Sequence, residues 1–179
     1  LDATKAFALV VVNRKDTEGW PDSLLRLASQ SYNQSVGEGG DAGTPKDGPW
    51  RITLDHPSFG PFLQHSRNRD QREKLYRAYV TRASEGELDN APLIERTLKL
   101  RKERAHLLGY ATYAELSLAS KMAPDVDAVQ RMFDELLAAS EPFAREDWAQ
   151  LETLAREAGQ KEPLAHWDVP FWAERLREK

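Results

Sequence analysis

Histidine is the side chain in this sequence best suited to metal binding or proton transfer, and its four copies form no motif. They are His56, His65, His106 and His166. Two histidines four residues apart on a helix turn both imidazoles to one face at metal-binding distance, and no pair here has that spacing. The chain has no cysteine, so a thiolate site is excluded too. We therefore expect no catalytic residue and no metal ligand in this chain.

Other side chains that could do chemistry give weaker signals. A Ser-His-Asp triad is not indicated, because no serine occurs in a Gly-x-Ser-x-Gly turn. His65, Arg67 and Arg69 form a basic cluster that could bind a peptide carboxylate, although a solvated helix start is the favoured interpretation. His106 lies at the edge of an apolar stripe, where a structural histidine is favoured over a ligand. The substrate-binding residues therefore stay unknown.

Two arginines are candidates for a structural role. On a helical wheel Arg72 and Arg82 fall among apolar and aromatic residues, and a buried guanidinium must be paired and hydrogen-bonded. The expected carboxylate partners are Asp89, Glu95 and Glu115. The alternative is that both arginines line a substrate channel.

Apolar residues at helical spacing predict a mostly α fold of about seven helices. The predicted centre of an all-helical unit is the run 72–122, which carries three successive helical patterns. Gly109 is expected to end the second of them in a left-handed conformation. Farther along, the apolar residues of 125–158 stay on one helical face on both sides of Pro142, which predicts a single long kinked helix.

The remaining elements are shorter. One strand is predicted near 50–55, and its partner is either residues 9–13 or chain outside this sequence. The run Ala3–Val11 is ambiguous between helix and strand, and its alanines favour helix. A short helix is predicted over Pro61–His65, and Asp168 is expected to cap the last helix.

A glycine-rich stretch at 35–48 is predicted to be a flexible loop. The alternative, a phosphate-binding loop, needs a strand before the glycines and a helix after them, and neither flank fits.

Composition limits the class of protein. The 179 residues are 40% hydrophobic and 30% charged, with a net charge of −4, which argues against nucleic-acid binding. No apolar run approaches the roughly 20 residues of a membrane span. The absence of cysteine fits a reducing compartment and not a secreted protein. Both ends lack helix start and stop signals, so we expect a piece of a longer protein.

Several blocks of sequence together match the pattern of a known family. They are YRAYVTRAS at 76–84, DN at 89–90, LRKERAHLLGY at 100–110 and SLASKMA at 117–123. GPWRITLD at 48–55, HSRNRDQRE at 65–73 and HWDVPFWAERLRE at 166–178 extend the match over almost the whole chain. These blocks resemble the thimet oligopeptidase/oligopeptidase A family of zinc metallopeptidases, in particular its organellar branch.

The resemblance implies a single helical segment, residues 1–179, that forms channel wall before the zinc-binding catalytic helices. It implies zinc in the intact parent enzyme and none bound by this chain. The implied partners are short unfolded peptides and the remainder of the catalytic domain, without nucleic acid or membrane. The implied compartment is the bacterial cytoplasm, the chloroplast or the mitochondrion. The alternative is a stand-alone helical interaction module without catalytic activity.

Overall fold

The computed structural model of the chain describes residues 2–37 and 40–179. Over these ranges it contains eight α-helices and two strands, which confirms the mostly α class. The chain divides into two compact units: unit 1, which comprises Leu1–Leu88 and Gln150–Lys179, and unit 2, Asp89–Ala149. In chain order the elements are α1 Asp2–Lys5, β1 Ala8–Val11, α2 Asp22–Val36, β2 Trp50–Thr53, α3 His56–His65, α4 Arg69–Val80, α5 Ala91–Leu107, α6 Tyr113–Leu118, α7 Val126–Glu157 and α8 Val169–Arg177.

A two-stranded antiparallel sheet lies in unit 1. Ala8 is opposite Thr53 and Val11 is opposite Trp50, so the partner of β2 comes from within the chain. The prediction of a helix over Ala3–Val11 is therefore wrong for its second half. The helix α1 ends at Lys5, and β-branched residues follow in an extended strand. Pairing with a strand 39–45 residues away outweighs the helix preference of the alanines.

The core of unit 1 is built on the sheet, α2 and α3. Alternate residues of both strands face it, and three aromatic rings meet in its centre. The ring centroids of Trp20 and Phe62 lie 5.2 Å apart and those of Trp20 and Trp50 lie 6.4 Å apart, both pairs edge to face. The buried apolar residues are Leu9, Val11, Trp20, Leu24, Leu25, Ala28, Trp50, Ile52, Leu54, Phe62, Leu63 and Leu75.

A second apolar cluster in unit 1 joins the last turns of α7 to α8. Its buried members are Leu151, Leu154, Ala155, Phe171 and Trp172. The indole N–H of Trp172 donates to the side-chain oxygen of Gln160 at 2.9 Å. These contacts fix the loop between α7 and α8.

Helix boundaries differ from the prediction at α3. This helix begins at His56, five residues before the predicted start, with Pro57 in its first turn and Pro61 inside it. Proline is tolerated in a first turn because the amide there has no helical partner. Helix α4 begins after Asn68, whose side chain accepts from the amide of Gln71 at 3.1 Å and caps the helix.

The described part of the glycine-rich segment makes hydrogen bonds to α2 and within itself, while its flexibility stays a prediction. The side chain of Asn33 donates to the carbonyl of Gly43 and accepts from its amide, at 3.0 and 2.7 Å. Thr44 and Gly48 exchange two backbone hydrogen bonds of 2.8 and 2.9 Å. Helix α2 includes the first two residues of the predicted loop, and residues 38 and 39 lie outside the described ranges.

Unit 2 contains α5, α6 and most of α7. Gly109 has φ +82° after α5, and Tyr110 donates to the carbonyl of Ala105, which is the predicted left-handed helix end. Thr112 and Glu115 form a reciprocal capping box at the start of α6. Ala105 is the one residue of α5 that is buried.

Helix α7 runs unbroken through Pro142 from Val126 to Glu157. The prediction of one helix rather than two is confirmed, while a kink at Pro142 stays a prediction.

None of the helices in the described ranges combines the length and apolar character needed to cross a bilayer.

We predict that Trp50→Ala destabilises unit 1 by about 3–5 kcal/mol, because the side chain is 0% exposed and its removal leaves a cavity. The matched control is Phe143→Ala in α7, whose ring is 67% exposed and whose loss should change stability by less than about 0.5 kcal/mol. Urea unfolding followed by circular dichroism measures both. Equal effects of the two substitutions would contradict this core assignment.

Candidate functional site

The four histidines do not form a site. His106 is exposed, and its Nε2 lies 3.1 Å from the carbonyl oxygen of Ala111. The ring of His166 stacks on Tyr76 with 6.1 Å between centroids. Over residues 2–37 and 40–179, no three His, Cys, Asp or Glu side chains are grouped so that they could hold a metal ion. The described residues therefore offer no group of ligands that fits a zinc ion.

The strongest polar constellation in unit 1 is a buried ion pair between α4 and the residue before α8. Arg72 is 2% exposed and Asp168 is 0% exposed. The Nη2 of Arg72 donates to Oδ1 of Asp168 at 2.8 Å. Its Nη1 donates to the carbonyl of Ser66 at 2.7 Å, and its Nε to the carbonyl of Trp167 at 3.3 Å. Each nitrogen of the buried guanidinium thus has a partner.

Asp168 has a second cation and a backbone donor. Arg69 donates to Oδ2 through Nη2 at 2.9 Å and through Nε at 3.1 Å, and the amide of Ala165 donates to Oδ2 at 3.1 Å. Burial pushes the pKa of Asp168 up, but hydrogen bonds from Arg69, Arg72 and Ala165 outweigh it, so the pKa lies below its ordinary value. The carboxylate is therefore ionised near neutral pH.

Asp168 precedes α8, as expected, but its side chain makes no capping hydrogen bond. The prediction of a cap is wrong because the carboxylate turns toward the arginines instead.

Aromatic rings line the same cluster of charges. The guanidinium carbon of Arg72 lies 4.1 Å from the ring centroid of Phe171, and that of Arg175 lies 3.6 Å from it. Arg77 and Arg69 approach the ring of Trp167 at 4.9 and 5.7 Å. Cations over aromatic faces are stabilised by the ring quadrupole, more so when they are desolvated. The cluster therefore serves to hold α4 and α8 together.

The basic cluster predicted from the sequence is largely engaged in these contacts. Arg67 pairs with Glu18 at 2.9 Å in an exposed ion pair, and Arg69 pairs with Asp168. His65 is the last residue of α3. The two arginines already have carboxylate partners, which disfavours the binding of a peptide carboxylate here.

Arg72 pairs with none of the carboxylates expected from the sequence. Asp89 accepts from the amide of Ala91 at 2.8 Å, and Glu115 accepts from the amides that precede α6, so both are used locally. The partner Asp168 was missed because it lies 96 residues from Arg72. One signal was available, since Asp168 is the only acidic residue in the apolar run 164–173.

Arg82 is exposed, so the prediction that it is a buried, carboxylate-paired arginine is wrong. Helix α4 ends at Val80, and a helical wheel does not apply beyond that residue. The guanidinium instead donates to the carbonyl of Tyr79 and lies 3.9 Å from the centroid of that ring.

Each unit has an open cavity. The cavity in unit 1, about 560 Å³, lies at the end of α7 and is lined by charged residues such as Glu152 and Lys161 together with apolar ones such as Ala155 and Leu164. The cavity in unit 2, about 580 Å³, lies between the end of α6 and the start of α7. Both are open to solvent and have mixed linings, unlike the mainly apolar clefts typical of small-molecule sites.

Comparison with known proteins gives the family directly. The model described as peptidase family M3 matches residues 62–179, which is more than half of the chain. The chain belongs to peptidase family M3. The resemblance found in the sequence is thereby confirmed.

Curated relatives match almost the whole chain. It is 47% identical over 180 residues to the probable cytosolic oligopeptidase A of Arabidopsis thaliana, with 99% of this chain and 25% of the relative covered. It is 46% identical to the organellar oligopeptidase A, chloroplastic/mitochondrial, of the same plant, with 99% and 22% covered. Against oligopeptidase A of Escherichia coli the identity is 33% over 183 residues, with 99% and 25% covered. The chain thus spans about a quarter of the length of these relatives.

Unit 2 of this M3 chain presents large apolar side chains to solvent. Leu107 is 87% exposed, and most other large apolar residues of α5 and of the part of α7 in unit 2 are more than half exposed. The predicted apolar stripes are therefore present but uncovered, and the core lies in unit 1 instead. The exposed set is Leu93, Ile94, Leu98, Leu100, Leu107, Leu108, Met122, Val126, Met132, Phe133, Leu136, Leu137, Phe143 and Trp148.

Replacing Arg72 tests the buried ion pair. We predict that Arg72→Met destabilises the chain by about 3 kcal/mol, because Asp168 keeps a buried charge with one cation fewer. Arg72→Lys should recover only part of this, since lysine lacks the planar fork. Arg82→Met is the matched control and should cost less than about 0.5 kcal/mol, because Arg82 is exposed. Urea unfolding midpoints of the wild type and the three variants measure these differences in stability. Similar losses of stability for Arg72→Met and Arg82→Met would refute the assignment of Arg72 to a buried ion pair.

The low pKa of Asp168 makes its contribution depend on pH. A carboxyl whose folded pKa is lowered contributes stability above its unfolded pKa, about 3.9, and loses it as pH falls through the folded pKa. We predict that the difference in unfolding free energy between wild type and Asp168→Asn is constant from about pH 5 to 7 and shrinks below about pH 4. Unfolding curves across this range measure it. A difference that stays constant down to pH 2 would show that the carboxylate charge is not responsible.

Proposed function

We propose that this chain is a non-catalytic, mostly helical part of a zinc-dependent metalloendopeptidase that degrades short peptides, including released targeting peptides. The observation that carries the proposal is 47% identity to an oligopeptidase over 99% of the chain, in a sequence without a pair of histidines at helical ligand spacing. Homology at this level supports a shared reaction in the whole protein. The missing spacing supports the proposal that metal binding and hydrolysis belong to other parts of it.

The role proposed for the chain is to form the wall of a channel that admits short peptides and to bind the remainder of the catalytic domain. The apolar faces of unit 2 support this role. On a helical wheel of α5, the stripe Leu93, Leu100 and Leu107 lies on the side opposite Ala105, the one buried residue of that helix. A helix with two apolar sides is typical of the middle layer of a larger fold. Exposed apolar surface of this extent marks an interaction site.

Zinc is proposed as the cofactor of the intact enzyme and is held outside residues 1–179. When bound, it supplies an activated water for attack on the peptide carbonyl. Within this chain, the paired Arg72 and Asp168 keep α4 and α8 in fixed positions. A rigid wall of this kind fixes the width of a channel, which selects short unfolded peptides over folded proteins.

The proposed compartment is a reducing one: the cytoplasm of a bacterium, the cytosol, or a chloroplast or mitochondrion. Relatives carry the descriptions cytosolic and chloroplastic/mitochondrial, and others are bacterial oligopeptidases. The absence of cysteine from the chain is compatible with any of these.

Reading the gene beyond Lys179 and assaying both products tests the proposed function. We expect a His-Glu-x-x-His helix farther along, and a longer protein that cleaves quenched fluorescent peptides of about ten residues and stops when a chelator is added. The purified 179-residue chain should cleave none of them and should contain no stoichiometric zinc in elemental analysis. Zinc and hydrolysis in the short chain would overturn the proposal, and a reading frame that stops without the motif would favour the stand-alone interaction module.

A further inference from the structure

Strand β1 has one paired edge and one open edge. The amide of Thr53 donates to Oγ of Ser58 at 3.0 Å, so it points away from Ala8, its neighbour across the sheet. Antiparallel pairs alternate between hydrogen-bonded and non-hydrogen-bonded, which makes Leu9 with Ile52 the next bonded pair. The backbone N–H and C=O groups of Ala8 and Val10 therefore point away from β2.

The open edge is only four residues long, but it lacks three other features that usually prevent further strand pairing. Within the described ranges no backbone hydrogen bond from outside the two strands reaches Ala8 or Val10. The strand has no charge, no proline and no bulge in its register. Val10 is 48% exposed, and Val12 just beyond the strand is 72% exposed. Natural edge strands are normally protected by lysine, proline or a bulge, so this edge is competent to pair.

The charges around the strand favour an acidic partner. Residues 3–15 contain Lys5, Arg14 and Lys15 and no acidic residue. Within the described ranges no ion pair involves Lys5 or Lys15, and Arg51 stands opposite Val10 in the sheet. Arg51 donates to the hydroxyl of Ser31 on α2, and Arg14 donates to Thr17 and lies 5.7 Å from the ring centroid of Trp50. Lys5 and Lys15 are therefore the cations that could attract a carboxylate on an added strand.

We propose that the open edge of β1 binds an extended, β-branched peptide of about five residues with net negative charge, as a third antiparallel strand. Main-chain hydrogen bonds to Ala8 and Val10 supply the affinity, and contacts with Val10 and Val12 supply the side-chain preference. The site holds a peptide without cleaving it. It rests on the strand geometry and not on the proposed peptidase activity, so either can fail without the other.

Fluorescence anisotropy with the 179-residue chain tests the proposal. The probe is fluorescein-labelled Thr-Val-Thr-Val-Glu, with two versions N-methylated at alternate amides. In a paired strand only one set of alternate amides faces the edge. We expect saturable binding that weakens about tenfold or more with one methylated version and changes less than about threefold with the other. Equal behaviour of both versions would indicate nonspecific binding to the exposed apolar helices and would overturn the proposal.

Substitutions at Val10 locate the site. Val10→Pro removes an outward N–H that takes no part in the pairing with β2, and we expect an affinity loss of about tenfold. Val10→Thr keeps the N–H and is the matched control, with less than about a threefold change. If Val10→Pro unfolds the sheet, the two methylated peptides still distinguish strand pairing at the edge from nonspecific binding.

Two other occupants of the edge would give different results. Dimerisation of the free chain that Val10→Pro abolishes, without peptide binding, would assign the edge to a second copy and overturn the proposal. Peptide binding by the short chain but not by a longer product of the gene would assign the edge to another strand of the same protein, and the proposal would again be wrong.

Discussion

The buried ion pair between Arg72 and Asp168 is the constraint on which the arrangement of α4 and α8 depends. Two charges out of water are tolerated only when each is paired and hydrogen-bonded, and here Ser66, Trp167, Arg69 and Ala165 complete the set. Such a cluster adds little net stability compared with an apolar core, but it accepts few alternative geometries. The helices that meet there are consequently held in one register.

Local patterns in the sequence were sufficient to predict the long helices. The spacing of apolar residues that defines such a helix, and the residues that end it, all lie within a few helical turns of one another. The continuity of α7 through Pro142 and the left-handed Gly109 are of this kind. Strand β1 and the partner of Arg72 were not predictable in the same way, because the first depends on residues 39–45 positions away and the second on a residue 96 positions away. For Arg82 the error was local, since the helix stops two residues earlier.

The two units use their apolar residues differently. In unit 1 they are buried between the sheet, α2 and α3, whereas in unit 2 the stripes of α5 and α7 remain in water. Apolar surface in water costs about 25 cal/mol per Å², so exposed stripes of this size are unusual in a protein that is complete in itself. A chain that spans about a quarter of the length of its relatives fits this distribution.

The order in which a ribosome makes the chain gives the ion pair a further consequence. Asp168 follows Arg72 by 96 residues, so at about 5–20 residues per second the arginine emerges about 5–20 s before its carboxylate. All of unit 2 is synthesised in that interval, because it lies between the two parts of unit 1. Residues 1–88 are therefore synthesised before residues 150–179, and the guanidinium of Arg72 has no carboxylate partner from unit 1 until Asp168 has emerged. Unit 1 can therefore be completed only after unit 2 has been synthesised.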